Sequence, residues 1–391
     1  MKRITAKWLK APGLQSVFGL IAAAGGEARV AGGALRNALM GEPVGDIDLA
    51  TTLAPQKIME VFLAAGHGAY PTGIEHGTVT VVVGQCPYQI TTLRRDEATD
   101  GRRAVVSFTD DWLGDALRRD FTMNALYCDS GGKIFDYTNG YDDILRGRIR
   151  FVGAPSGRIK EDYLRILRFF RFLSIYPNLK ADAAGLAACV RMRKGLQTLS
   201  AERIAQEMLK LLAGANAVPV LRLMARNGVL KYIISFREDF RTISRLPPDP
   251  ILRAVVLAKE PLSLQQAWRL SNEQGRRIEN LLGCSLPTAK LRENEQRRVL
   301  YHVGAETWRD SVQLAWAKSR APLSDRAWKR MLSLPARWQA PRFPVSGHDL
   351  IELGQTPGPG LGQALRRLED DWIAANFKPA KHDLLEKLKG Y

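Results

Sequence analysis

Asp46 and Asp48 lie in Gly45-Asp-Ile-Asp-Leu-Ala-Thr51, a segment that reads as a strand. Side chains alternate faces along a strand, so both carboxylates project on one side, where their oxygens suit hard Mg²⁺ ions. Just upstream, Val30-Ala-Gly-Gly-Ala-Leu-Arg-Asn37 reads as a glycine turn opening a helix. Gly32 and Gly33 let the backbone approach a ligand closely, and Arg36 falls in the first turns of the helix. N–H groups at a helix N-terminus, together with a guanidinium, suit a triphosphate. Gly-Gly, Arg and Asp-x-Asp in this order imply phosphoryl or nucleotidyl transfer.

Two later clusters carry charge in a pattern. In Asp115-Ala-Leu-Arg-Arg-Asp-Phe-Thr-Met-Asn-Ala125, the residues Arg118, Arg119 and Asp120 read on their own as a solvated helix terminus. In Glu161-Asp-Tyr-Leu-Arg-Ile-Leu-Arg-Phe-Phe-Arg171, helical spacing puts Asp162, Arg165 and Arg168 on one face, with Leu164, Leu167 and Phe170 packing inward beside it. The plain reading is an i, i+3 ion pair. The sharper one has Asp162 accepting from an exocyclic amino group while Arg165 donates to ring acceptors. Together they would present a Watson–Crick-like edge with no nucleic-acid template.

The elements that must position these groups follow from the pattern. Residues 1 to about 150 alternate helical and strand periods. Thr78–Val83 and Tyr88–Leu93 are β-branched runs separated by a turn, predicting a hairpin beside the Asp46/Asp48 strand. The charged stretch Arg94–Val106 lacks apolar periodicity and is expected to be a mobile loop. Beyond about residue 158 helical patterns dominate, with breaks at Pro177, Pro219, Pro247, Pro248 and Pro287. Ser200 is placed to cap a helix carrying Glu202, Ile204, Met208 and Leu211. At the start, Lys2, Arg3, Lys7 and Lys10 precede the apolar stretch Leu14–Ala24, which imitates an export signal. The helical spacing of Val17, Phe18 and Ile21 instead predicts an amphipathic helix packed on the sheet.

A chain of 391 residues with 46% hydrophobic content is long enough for two to four folded domains. Lys and Arg outnumber Asp and Glu by 57 to 40, giving +17 and a pI near 9.9, which favours a polyanionic partner. Cys86, Cys128, Cys189 and Cys284 are scattered, without metal-site or redox spacing, as expected in a reducing compartment. No run is apolar and long enough to span a bilayer, so no membrane partner is expected.

The Gly-Gly, Arg, Asp-x-Asp segment resembles the signature of the class II tRNA nucleotidyltransferase (CCA-adding enzyme) and bacterial poly(A) polymerase family. One departure is Asn37, where the family usually has Asp. The stretch Arg118–Ala125 is similar to the family's Arg-Arg-Asp-Phe-Thr-x-Asn-Ala motif. The resemblance implies that Arg119 contacts the incoming triphosphate, that Asp120 is near the ribose and that Asn124 shapes the pocket. Phe135–Asp143 matches a segment that looks structural. Glu161–Arg165 resembles the Glu-Asp-x-x-Arg amino-acid template for cytosine and adenine, with Tyr163 replacing the usual proline. Arg168 and Arg171 then correspond to further nucleotide-binding arginines. Many relatives carry an acid where this chain has Gln89, which leaves metal binding to Asp46 and Asp48 alone.

The implied fold is α+β: an N-terminal polymerase-beta-like nucleotidyltransferase head with a mixed sheet and helices, then an all-helical neck, body and tail. The expected divisions are a catalytic head at 1–150, a neck at 151–215 bearing the base template, a body at 216–300 and an RNA-binding tail at 301–391. The implied activity is cytoplasmic, template-independent CCA addition to the 3′ end of tRNA, held by its acceptor arm, from CTP and ATP with two Mg²⁺ ions. Poly(A) polymerase and A-adding or CC-adding activities share the scaffold, and an inactive RNA-binding protein or a small-molecule nucleotidyltransferase would differ in class. His76 and the pair His348-Asp349 read as structural. The loop Gly354–Gly362 reads equally as a phosphate cradle or a plain helix entry. Trp308, Trp316, Trp328 and Trp338 read as core, set among basic residues such as Lys329 and Arg330 that suit an RNA duplex backbone.

Overall fold

A computed structural model describes residues 2–99 and 104–388. The chain forms two compact units, residues 1–236 and 237–391.

The first unit begins with a seven-stranded mixed sheet. Its strands are β1 (Ala28–Ala31), β2 (Asp48–Thr51), β3 (Gly68–Gly73), β4 (Thr78–Val83), β5 (Cys86–Thr92), β8 (Leu126–Cys128) and β9 (Ile134–Asp136), in the order β3-β4-β5-β2-β1-β8-β9. The expected hairpin is β4–β5, antiparallel, and β5 runs parallel to β2 with Asp48 opposite Gln89. Two helices, α1 (Pro12–Ala23) and α3 (Pro55–Ala64), cover one side of the sheet; α2 (Gly33–Met40) follows β1. Leu14, Val17, Phe18 and Ile21 of α1 are buried, so the signal-like segment is a packed helix.

Two expectations change here. The stretch expected to be a mobile loop is an antiparallel ribbon, β6 (Arg94–Thr99) with β7 (Ala104–Phe108), while residues 100–103 lie outside the described residues. A ribbon apart from the main sheet need not bury one face, so it carries no alternation to read. The helical remainder also contains a short parallel bridge, β10 (Arg148–Ile149) with β11 (Lys180–Ala181), too brief to show a strand period.

Helices α4 (Trp112–Leu117), α5 (Gly140–Leu145), α6 (Pro155–Glu161), α7 (Leu164–Ile175), α8 (Ala183–Met192) and α9 (Ala201–Leu212) complete the part that holds the site. An aromatic cluster seats α7. Phe151 stacks on Phe169 with centroids 5.5 Å apart, and Phe121 meets Phe172 edge-on at 5.5 Å. Rings of this size bury large apolar areas and prefer such tilted or offset contacts, which fixes the rotation of α7. Gly140 permits the neighbouring turn, since a Cβ there would lie 2.0 Å from the Thr122 carbonyl oxygen. Helix α9 starts after Ser200 as expected, although the Ser200 side chain makes no capping hydrogen bond.

In the second unit, helices pack around apolar clusters, two of which lie among the described residues 291–385. Trp308, Trp316 and Trp328 are buried in one of them, and Trp338 packs against its edge, as the core reading requires. His348 and Asp349 begin a helix, where Asp349 accepts from Ser346 in a capping box and from Lys381 at 2.6 Å. Among the described residues, no cluster of three or more His, Cys, Asp or Glu could hold a metal ion.

Candidate active site

The first unit holds an open cleft of about 500 Å³. Gly32, Gly33 and Asp48 form one side of it, and Arg119, Asp120, Asp162, Arg165 and Arg168 line it from the α4–α7 side. Eight residues singled out from sequence thus converge on one space.

Asp48 is the first residue of β2, whereas Asp46 lies before the strand and outside the cleft lining, so strand alternation does not align the two acids as expected; both are exposed. The surrounding protein, and then the nearby Asp46 charge, push the Asp48 carboxyl above its usual range, against a smaller opposing pull from Arg119. Two oxygen-donor acids held together at that cost are a fit for a divalent cation, whose charge reverses both terms. Gln89, opposite Asp48 in the register, brings no third negative charge.

Beside the acids, Gly32 adopts a positive φ of 67°, which glycine tolerates. A Cβ at Gly32 would lie 3.1 Å from an Arg119 guanidinium nitrogen, so this glycine also makes room for that arginine. Arg119 is held by Asp115 at 3.1 Å, by the Tyr127 hydroxyl at 3.1 Å and by the Asn124 carbonyl at 3.1 Å. Burial opposes ionisation of Asp115, but Arg119 and Arg118 outweigh it and hold the carboxyl below its usual range.

Asp120 is buried and accepts from the Phe121 N–H at 2.8 Å, from Asn124 at 3.1 Å and from Arg168 Nε at 2.7 Å. Burial alone would raise its carboxyl; the Arg168 charge and these hydrogen bonds carry it below the usual range. Asn124 also accepts from Arg36 at 2.5 Å, which joins the motif at 118–125 to α2.

Asp162 departs from the helical expectation. It is extended, between the end of α6 and the start of α7, so it does not form an i, i+3 pair with Arg165. Its Oδ1 accepts from the Leu164 N–H at 3.0 Å, which competes with helix continuation and starts α7 afresh. Oδ2 accepts from Arg203 of α9 at 2.7 Å. Arg165 pairs instead with Glu161 at 2.6 Å and donates to the Arg158 carbonyl at 2.9 Å. Tyr163, in place of the usual proline, packs its ring against the backbone at Gly195.

Two of the expected nucleotide-binding arginines are outside the cleft lining. Arg36 is buried against Asn37, Asn124 and Tyr176, and Arg171 is buried against Glu207 of α9 at 3.0 Å. Conversely, Arg94, Arg118 and Arg203 line the cleft without having been assigned to it. Nothing in the local sequence singles out Arg203 from the other polar residues of α9, since its partner Asp162 lies 41 residues away.

A relative in Danio rerio, CCA tRNA nucleotidyltransferase 1, mitochondrial, is 34% identical over 93% of this chain and 87% of that protein. The chain belongs to the CCA-adding enzyme and poly(A) polymerase family. A CCA-adding enzyme of Staphylococcus epidermidis is 36% identical, covering 93% of both chains. The Bacillus stearothermophilus CCA-adding enzyme solved in complex with CTP superposes with a TM-score of 0.83 at 27% identity, covering 97% of this chain and 98% of that one. Family models agree segment by segment: "Poly A polymerase head domain" matches residues 28–150, and "tRNA nucleotidyltransferase domain 2" matches residues 252–388. Between them lies a match to "Probable RNA and SrmB- binding site of polymerase A" at residues 179–240. Within this family the chain is an α+β nucleotidyltransferase, and among its described residues no helix is long and apolar enough to cross a membrane.

Proposed function

We propose that this CCA-adding family member builds CCA on the 3′ end of tRNA from CTP and ATP, with Asp46 and Asp48 holding two Mg²⁺ ions. One observation carries the reading: the Asp48 carboxylate and the Asp162/Arg165 pair line the same cleft. A metal-binding acid and a donor–acceptor pair able to read a base are thereby within one nucleotide-sized space. Magnesium bound at the acids would activate the primer 3′-hydroxyl and neutralise the departing pyrophosphate.

The protein's own groups do the rest. Gly32 and Gly33 admit the triphosphate close to the backbone, and Arg119 supplies a cation that Asp115 and Tyr127 hold in one orientation. Asp120 fixes Arg168 and accepts from the ribose edge. Asp162 and Arg165 take the base; their anchoring to Arg203 and Glu161 keeps them in register before a nucleotide arrives. We assign catalysis to residues 1–150, base selection to 151–215, and RNA holding to the body at 216–300 and the tail at 301–391. The basic residues Lys329 and Arg330 contribute to that hold through phosphate contacts. Its acceptor-arm partner would be recognised by shape and backbone, because A-form RNA hides its major groove. The cytoplasm supplies CTP and ATP and suits the four free cysteines.

The test is incorporation by purified protein with Mg²⁺ on tRNA transcripts ending before CCA, after C and after CC. CTP and ATP are given separately and together. Ordered addition that stops at CCA is expected. Long ATP-only tails would reassign the protein to poly(A) polymerase, and addition of A only after CC would make it an A-adding enzyme.

A further inference from the structure

The Arg36 guanidinium is buried, yet the hydrogen-bond partners it reaches are neutral oxygens. Nε and one terminal nitrogen donate to Asn37 Oδ1 at 3.1 and 2.9 Å, the other terminal nitrogen donates to Asn124 Oδ1 at 2.5 Å, and Tyr176 Oη accepts at 2.8 Å. Burial pulls its pKa down, and the Tyr176 hydroxyl and the more distant Asp120 charge oppose that. A buried guanidinium without a hydrogen-bonded carboxylate depends heavily on each neutral partner it has.

Tyr176 is the partner that links separate elements. It follows the last residue of α7, is buried, and stacks near Phe172 with the rings 16° from parallel. Its hydroxyl accepts from Arg36 and donates to Asn37 Oδ1 at 2.7 Å, so it grips two adjacent residues of α2. Helix α2 opens at Gly33, beside the triphosphate turn, and α7 carries Arg165 and Arg168. From Arg36 the connection continues through Asn124 to Asp120 and on to Arg168 in the cleft.

We propose that Tyr176 is a positioning residue. Its hydroxyl clasps the end of α7 to α2, standing in for a carboxylate at position 37, and so sets the spacing between the phosphate turn and the base-reading helix. The inference deepens the proposed nucleotidyl-transfer reading and rests on the same cleft. It assigns Tyr176 no contact with substrate.

The experiment compares wild type, Tyr176→Phe and the double variant Tyr176→Phe/Asn37→Asp. CTP binding is measured by calorimetry, and steady-state transfer to tRNA ending in CC or lacking CCA is measured beside it. Loss of a hydrogen bond to a buried charged group predicts about a tenfold or greater rise in the CTP Kd and in KM for both nucleotides. KM for tRNA stays at the wild-type value. A carboxylate at position 37 sets a negative charge beside the guanidinium, at the cost of the bond Asn37 Nδ2 donates to the Pro43 carbonyl at 2.9 Å, so the double variant recovers part of the lost affinity. CTP affinity within twofold of wild type in Tyr176→Phe, or no recovery in a folded double variant, overturns the clasp. A drop in melting temperature with unchanged CTP affinity overturns it too, since that marks a role in stability alone. Wild-type protein that binds CTP but transfers nothing would count against the transferase reading, and the clasp would then be judged on CTP binding.

Discussion

Asp48 lines the cleft and Asp46 lies two residues before it; neither side chain has an ion pair among the described residues, and its surroundings, then the Asp46 charge, raise the Asp48 carboxyl. In the same cleft, Arg119, Arg165 and Arg168 are each held by a carboxylate, from Asp115, Glu161 and Asp120 respectively. The acids carry charge in search of a counter-ion, whereas the arginines have been locked in advance. Under the proposed function, a site that takes up metal with each incoming nucleotide gains from the first arrangement. A wall that must read bases without a template gains from the second, because side chains already in place lose little freedom on binding.

The sharpest way to break this contrast is Asp48→Ala. Losing a metal ligand should lower transfer by more than about 100-fold, since weaker outer-sphere losses already reach that range. Affinity for tRNA in a filter-binding assay should stay at the wild-type level. Turnover close to wild type would remove the metal assignment.

Arg168→Met attacks the locked side, and its effect should appear in stability as well as rate. It leaves the buried Asp120 carboxylate without its cation, which costs about 2–3 kcal/mol. Melting of the first unit should fall by roughly 5–10 °C. The isosteric Asp48→Asn should do the opposite in metal-free buffer and raise the melting temperature, because it removes a strained charge. Equal shifts in the two variants would show that the acids and the locked arginines do not differ.

Acid titration separates the same two regions. Asp115 and Asp120 have carboxyls depressed in the fold, so near pH 4 the unfolded chain binds more protons than the folded one. Their stabilisation is complete above the unfolded value and is lost as pH falls through the folded one. Asp48 runs the other way: its folded carboxyl is raised, its ionisation opposes folding, and protonation relieves that cost. Urea midpoints of wild type and Asp48→Asn should therefore differ at pH 7 and converge as pH falls below about 4. A constant difference across that range would contradict the raised Asp48 carboxyl.

The two regions were not equally legible in the sequence. Gly32, Gly33 and Asp48 reach the cleft through local rules, a turn and a strand, and local rules are written in neighbouring residues. The arginines demanded knowledge of which helices meet. Arg36 and Arg171 occupy motif positions much like those of Arg119 and Arg168, yet tertiary packing turns the first pair inward to Tyr176 and Glu207. Asp162 was misread for a different reason. Helical spacing continues unbroken from Glu161 to Arg171, and only the Asp162 side chain bonding to the Leu164 N–H reveals that two helices meet there. The ribbon of β6 and β7 had no period to find.

Arg203 offers the finest probe of the locked side. It reaches from α9 to one oxygen of Asp162, while the other oxygen is tied to the start of α7. Each carboxylate oxygen keeps a further lone pair, so Asp162 can still accept from a base amino group in the direction those two bonds impose. Arg203→Met leaves the apolar stem and removes the bond. Asp162 should then swing, and discrimination against UTP and GTP should weaken by about 3- to 10-fold, the scale of one ordinary hydrogen bond. Pyrophosphate release per correct addition should change less than the error rate, because neither the metal ligands nor Arg119 has been touched. Competition assays with CTP against UTP on tRNA lacking CCA would measure this. Unchanged selectivity with a lowered kcat would place Arg203 in support of the helix rather than of base choice.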